Sequence, residues 1–371
     1  MFKKNVRVLC FILAIILTGF MTTGCADKGV EEQPAPEVTE ESGQVLESTG
    51  ETIQWALFSP YGPQDSACCF LWPELFDEVY RRTGGQLEIN IYWSGQHPYE
   101  GSDMLKVIQD GVAEMAHFYS GYLTSAEPVF GIDGIPMLLP SDSFQAFDIM
   151  SELWGNFEQD KNGTLEKILQ EKWGASMVHL LPATFQRLYT KEYTAEKIGS
   201  LQGHKIRVYS SELATFVKIL GGTPVSLSSG EVYTALSTGL VDGLVTGIQF
   251  AEANGYMDVC DTINLWEIMA ASDGLIVSTK ALAELPDDVR EVFLDVMRTS
   301  AKKPELNELS DCALVLERLI KKGNNVYMPT EAARQEISQR VRQEIINPWA
   351  ESVGADAETA LSQIDKILNR K

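Results

Sequence analysis

Leu201-Gln202-Gly203-His204-Lys205-Ile206-Arg207-Val208 is the stretch on which the fold turns. Its second half predicts a strand over Lys205–Tyr209. On a period-two strand Ile206 and Val208 face one way while Lys205, Arg207 and Tyr209 face the other, so an arginine projects away from the apolar packing face. Its planar, always-charged guanidinium carries forked donors that match a carboxylate with two parallel bonds, whereas a lysine offers a mobile point charge. A helix over about Glu212–Leu220, a short strand at Pro224–Ser226, a helix over about Ser229–Thr238 and a strand over about Gly243–Thr246 follow. This unit begins near Phe185, and its alternation of strand and helix is an α/β pattern.

Upstream the same alternation recurs. Short apolar runs predict strands at Ile53–Phe58, Leu87–Trp93 and Ala113–Tyr119, with helices over about Phe70–Arg82 and Ser102–Asp110 between them. The first helix stops at Thr83-Gly84-Gly85, where glycine supplies a left-handed cap, and the second at Gly111. Ser141–Trp154 and Leu165–Trp173 read as helices, and Ser176–Leu181 as a strand leaving this first unit. From Pro286 to Lys371 the chain is α-rich, with Asp287 and Asp288 in a first helical turn, where the dipole favours acids.

The start of the chain decides the compartment. Lys3, Lys4 and Arg7 precede an apolar run, Val8–Phe20, that is too short for a comfortable membrane span. Met21-Thr22-Thr23-Gly24-Cys25 then resembles the lipobox at which bacterial lipoproteins are cleaved and acylated, which marks Cys25 for lipidation; an ordinary secretory signal is the other reading. Residues 26–51 are acidic and rich in Pro, Ser, Thr and Gly, which predicts a disordered tether. The formal charge of −22 lies mostly beyond that tether and argues against nucleic acid as a partner. Residues 52–371 are enough for two lobes, a size that suits a clamshell.

Catalytic and metal chemistry find no sequence support. His97, His117, His179 and His204 are scattered, and G-x-S-x-G, P-loop and G-x-G-x-x-G patterns are missing. His204 reads as a turn residue, and His117 and His179 as packed residues in or beside strands. Cys68, Cys69, Cys260 and Cys312 lack zinc-type spacing; a Cys260–Cys312 disulfide and two buried thiols both remain open, the thiols being favoured. Neither an enzyme nor a cofactor is expected.

The stretch quoted at the outset looks like the strand motif of the solute-binding (DctP-type) subunits of tripartite ATP-independent periplasmic (TRAP) transporters. Gly221-Gly222-Thr223-Pro224, Glu231-Val232-Tyr233-Thr234-Ala235-Leu236 and Gly239-Leu240-Val241-Asp242-Gly243 continue the resemblance. Thr83-Gly84-Gly85, Ser94-Gly95-Gln96, Gly131–Pro136 and Leu285-Pro286-Asp287-Asp288 recur in the right order. The resemblance implies a clamshell of two α/β lobes joined by strands and a long helix that closes over an organic acid. The acid's carboxylate would be bound by Arg207, with Arg187 a second contact. It also implies integral membrane subunits of a TRAP transporter as partners. The expected division is residues 52–184 plus about 272–311 as lobe I, and 185–271 plus about 312–371 as lobe II. A monomer is expected.

Departures from the family pattern bear on the ligand. Asp242-Gly243-Leu244-Val245-Thr246 leaves Thr246 where many members carry an asparagine, Ser229 and Gly230 replace an aromatic and a serine, and Trp266-Glu267-Ile268 replaces a frequent Asn-His pair. Sialic-acid-type recognition is therefore not expected. Phe58 and Tyr61 follow the first strand, Phe118, Tyr119 and Tyr122 the third, and Trp266 lies near a predicted crossover. Loops at strand C-terminal ends are where α/β lobes place ligands, so these aromatics are candidates for the cleft wall and suggest an acid less polar than a sugar acid. The binding protein of an ATP-driven importer, or a ligand sensor for a signalling receptor, is the alternative. Pro304 predicts a break in an otherwise continuous helix.

Overall fold

A computed structural model describes residues 44–63, 67–155, 163–181, 185–270, 272–300 and 302–370. Cys25 and most of the expected tether lie outside the described residues. The strands within them are β1 (Ile53–Phe58), β2 (Leu87–Tyr92), β3 (Met115–Tyr119), β4 (Ala175–Leu181), β5 (Gln186–Thr190), β6 (Lys205–Val208), β7 (Thr223–Ser226), β8 (Gly243–Thr246), β9 (Thr262–Met269), β10 (Asp273–Ser278) and β11 (Asn325–Tyr327). They form two sheets, ordered β2-β1-β3-β10-β4 and β11-β9-β5-β8-β6-β7. In the first, β1 runs parallel to β2 and β3, while β10 runs antiparallel to β3 and β4. In the second, β6 is parallel to β7 and β8, and β5 is antiparallel to β8 and β9.

Three segments carry the chain between the sheets: β4 into β5, β9 into β10, and the helix Lys302–Lys322, which ends just before β11. The architecture is α/β with two lobes. The helix Asp287–Ser300 precedes the third crossing, and residue 301, between it and the stretch that holds Pro304, lies outside the described residues.

Each sheet is covered on both faces. In the first lobe Trp55, Leu57, Leu87, Val178 and Leu275 pack with the helices Ala67–Arg82 and Asp287–Ser300. In the second, Tyr189, Leu244 and Ile263 pack beneath the helices Val232–Thr238 and Ile248–Ala253. The remaining faces meet in one apolar cluster that includes Phe118 and Trp154 from the first lobe and Ile206, Val208 and Trp266 from the second.

Two boundaries differ from expectation. The tether was expected to run to residue 51, yet the segment from Gln44 is tied to the first lobe. Arg82 Nε donates to the Gln44 carbonyl at 3.1 Å, Gln86 Nε2 to the Glu47 carbonyl at 3.1 Å, and the Leu46 amide to the Arg82 carbonyl at 2.8 Å. Gly84 lets the segment approach: its φ is +63°, and a Cβ there would stand 2.5 Å from the Leu46 carbonyl oxygen. Composition gives little sign of this docking because backbone groups carry most of it, with Leu46 the one apolar side chain packed against the first-lobe core.

The last helix, Ala355–Leu368, was expected with lobe II but packs on the first lobe. Gln363 accepts from Thr164 Oγ1 at 2.6 Å and donates to the Glu152 carbonyl, and Asp356 pairs with Lys172 at 3.1 Å.

Glu166, on the helix Thr164–Trp173, is buried, and burial pushes its carboxyl up to about 7 although the Met177 amide and Gln170 donate to it. A carboxyl whose pKa is raised in the fold binds more protons folded than unfolded. Its contribution is therefore fully present below about 4.5 and lost as pH rises through about 7. Denaturant titrations should show the wild type losing roughly 2–3 kcal/mol relative to Glu166→Gln across that window. Parallel stability curves for the two proteins would refute it.

Candidate ligand-binding site

The strand pleat places the second lobe's polar groups. Ile206 and Val208 sink into the apolar cluster on one face of β6, which turns Arg207 to the other. Arg187 stands directly across from Thr246 in the β5–β8 pair, and β8 has β6 as its other neighbour. Three adjacent strands thus bring Arg207, Thr246 and Arg187, all candidates from the sequence, to one face.

The two arginines differ in what surrounds them. Arg207 is 6% exposed; its Nε donates to the Leu227 carbonyl at 3.0 Å and its Nη1 to the Val245 carbonyl at 3.4 Å. Its guanidinium carbon lies 5.2 Å from the ring centre of Tyr209, a cation–π distance. Among the described residues no carboxylate pairs with it. Burial pulls its pKa down, while the hydroxyls of Tyr209, Tyr256, Tyr122 and Tyr119 work in the opposite direction. A guanidinium stays charged under such a shift, so the site holds a buried cation solvated by carbonyls and aromatic faces. Arg187 instead has an internal acid: Glu267 Oε1 lies 3.0 Å from its Nε and 2.8 Å from its Nη2.

The first lobe contributes aromatics. Tyr119 and Tyr122 pack with ring centres 5.0 Å apart, Tyr122 and Tyr61 at 6.0 Å, and Tyr61 meets His117 edge-on at 5.0 Å. Burial raises the Tyr61 and Tyr119 hydroxyls well above their ordinary values and pushes that of Tyr209 up to about 12, so all three remain neutral donors. Tyr119 and Tyr209 come from different lobes, and their hydroxyls lie close enough to perturb each other's ionisation. The buried Tyr209 hydroxyl nevertheless completes no hydrogen bond of normal geometry.

Behind Tyr61, His117 Nδ1 meets Ser59 Oγ at 3.1 Å and its Nε2 meets the Asp273 carboxylate. Ser, His and Asp in a row invite a hydrolytic reading, but Ser59 is fully buried and its Oγ accepts the Tyr61 amide at 3.2 Å. The array fixes the loop that carries Tyr61. Among the described residues no cluster of His, Cys, Asp and Glu could hold a metal ion.

Three of the sequence candidates do not join this wall. Phe118 is fully buried against Phe130 and Trp154, because the pleat that turns His117 and Tyr119 to the site turns Phe118 into the core. Trp266 is also fully buried, its indole donating to the Ala195 carbonyl at 2.9 Å. Phe58 stacks on His97 at 4.6 Å and packs beside Tyr99, a separate aromatic group at the end of β1. Tyr209, Glu267 and Asp273 were not among the candidates. Tyr209 was legible as the next outward residue after Arg207 on the same strand.

Cys260 and Cys312 are thiols in the structure, and burial pushes the Cys260 thiol up to about 12.

Two α/β lobes with a buried cation and aromatic side chains where they meet define a ligand-binding protein of the two-lobed type. The model of bacterial extracellular solute-binding proteins, family 7 (DctP), matches residues 71–351, and the chain belongs to that family. It is an exported solute-binding protein. A solute-binding protein of Chromohalobacter salexigens is 23% identical over 67% of this chain and 70% of its own length. The ectoine-binding periplasmic protein TeaA of Halomonas elongata is 28% identical over 43% of this chain and 45% of its own. Among solved structures, a Bordetella pertussis extracytoplasmic solute receptor binding pyroglutamic acid superposes with a TM-score of 0.72 at 17% identity, covering 85% of this chain and all of that one.

Removing a buried hydroxyl that has no partner costs the fold nothing, whereas removing a donor used by a ligand weakens binding by roughly 1 kcal/mol or more. Tyr209→Phe should keep or raise the melting temperature while weakening capture of an organic acid several-fold by calorimetry. A drop in melting temperature with binding unchanged would show that the hydroxyl serves the fold instead.

Proposed function

We propose that this chain captures a small organic acid through Arg207 and delivers it to the integral membrane subunits of a TRAP-type secondary transporter, held at the membrane by a lipid on Cys25. The observation that carries the reading is Arg207 itself, a buried guanidinium with no acid partner among the described residues. A cation in that state is costly unless an anion completes it. The chain uses neutral carbonyls and rings around it, leaving the charge for a solute.

Capture proceeds by charge and then by closure. The carboxylate meets the fork of Arg207, the tyrosines of the first lobe fold over its less polar body, and water is displaced. The falling local dielectric strengthens the pair. A ligand that touches both lobes binds the closed form better, and this difference shifts the population toward the shape the membrane subunits read. Thr246 and Arg187 flank the headgroup, and Tyr61, Tyr119 and Tyr122 line the opposite wall. The related Bordetella receptor binds pyroglutamic acid and TeaA binds ectoine; both names support a compact carboxylate-bearing solute here. The chain works as a monomeric binder without catalysis. The buried Ser59, whose hydroxyl is engaged by His117 and the Tyr61 amide, supports that reading.

A thermal-shift screen against organic acids, neutral sugars and peptides tests the reading, because a ligand specific for the native state raises the melting temperature by mass action. Acids should raise it, and Arg207→Ala should weaken the best of them by about 30-fold or more, the usual cost of breaking a desolvated charge pair. Stabilisation by sugars or peptides alone, or an Arg207→Ala protein that binds the acid undiminished, would overturn it.

A further inference from the structure

Glu267 is held in an unusual place. The β5–β9 pairing slips between Gln186 and Leu188: Gln186 pairs with Met269 and Leu188 with Asn264, so β9 bulges opposite Arg187. Glu267 lies in that bulge with φ of +47°, a left-handed conformation that a non-glycine residue adopts at a cost. The bulge is secured from both sides. Arg334 donates to the Leu265 and Trp266 carbonyls, each at 2.7 Å, and the Met137 amide of the first lobe donates to the Ile268 carbonyl at 2.6 Å. A bulge of this kind re-aims a side chain. Here it brings one Glu267 oxygen onto two nitrogens of Arg187 and leaves the other oxygen buried without a hydrogen-bond partner.

We infer that Glu267 is a built-in counter-charge to Arg187, so that Arg207 is the one of the two arginines left for an anion and the site selects solutes with a single carboxylate over dicarboxylates. The inference rests on the proposed capture of an acid by Arg207. A second carboxylate reaching Arg187 would have to displace Glu267 or lie beside it, and like charges at close range in a dry site repel strongly. Selection then comes from a repulsive element as much as from an attractive one. The buried Glu267 oxygen adds a preference for solutes that bring a hydrogen-bond donor, since an unmade bond there is costly.

The test is calorimetric titration of the full chain in detergent with pyroglutamate and orotate as single-carboxylate probes and succinate and glutarate as dicarboxylate probes. The wild type should bind at least one of the first pair about tenfold or more tighter than either of the second. Glu267→Gln, which leaves Arg187 charged and unopposed, should shift the ratio toward dicarboxylates by about tenfold or more. The double variant Arg187→Gln/Glu267→Gln, neutral at both positions, should recover the preference for one carboxylate; it also decides the matter should the single variant fail to fold. Tighter binding of a dicarboxylate by the wild type, an unchanged ratio in Glu267→Gln, or a dicarboxylate preference in the double variant would overturn the inference. Binding of none of the four probes would also overturn it, and the wider acid screen then decides separately whether capture through Arg207 falls as well.

Discussion

A guanidinium buried beneath two lobes, with carbonyls and tyrosine rings for company and no acid to balance it, constrains the architecture around it. Ile206 and Val208 anchor β6 in the apolar cluster and so aim Arg207 away from it. Carbonyls of Leu227 and Val245 orient the fork from behind. Tyr209 covers one face. Each of these groups lowers the cost of burying the charge without neutralising it, which the proposed role of Arg207 as a charge kept for a solute requires. Arg187 is instead bonded to Glu267.

The first lobe answers with hydroxyls and rings in place of charges. Burial keeps Tyr61, Tyr119 and Tyr209 protonated at any ordinary pH, so the wall donates hydrogen bonds without adding repulsion. Because Tyr119 and Tyr209 approach from opposite lobes, the wall is complete only when the lobes are together. The Met137–Ile268 hydrogen bond crosses the same divide beside the β9 bulge.

Much of this was legible in the sequence. The α/β alternation, the orientation of Arg207 and the β8 strand follow from period-two and period-3.6 patterns, and the observed strand Gly243–Thr246 has the anticipated bounds. The strands β9 and β10 were harder to see. Buried on both faces, they show no apolar–polar alternation, so a period-two pattern does not mark them. The bulge that brings Glu267 to Arg187 is a register slip between two strands, a property of the pairing that neither strand carries alone. Phe118 shows the converse: it was grouped with its neighbours by proximity in sequence, although strict alternation along β3 separates it from His117 and Tyr119.

The docking of residues 44–49 on the first lobe has a mechanical consequence. Whatever holds the chain upstream of Gln44 pulls on that lobe alone, through Arg82 and Gln86. With the proposed lipid on Cys25, the first lobe would be the stationary jaw and the arginine-bearing lobe the swinging one. On the proposal that Cys25 carries a lipid, the 19 residues from there to Gln44, even fully extended, would span no more than about 65 Å, which would bound how far the molecule can roam from the membrane.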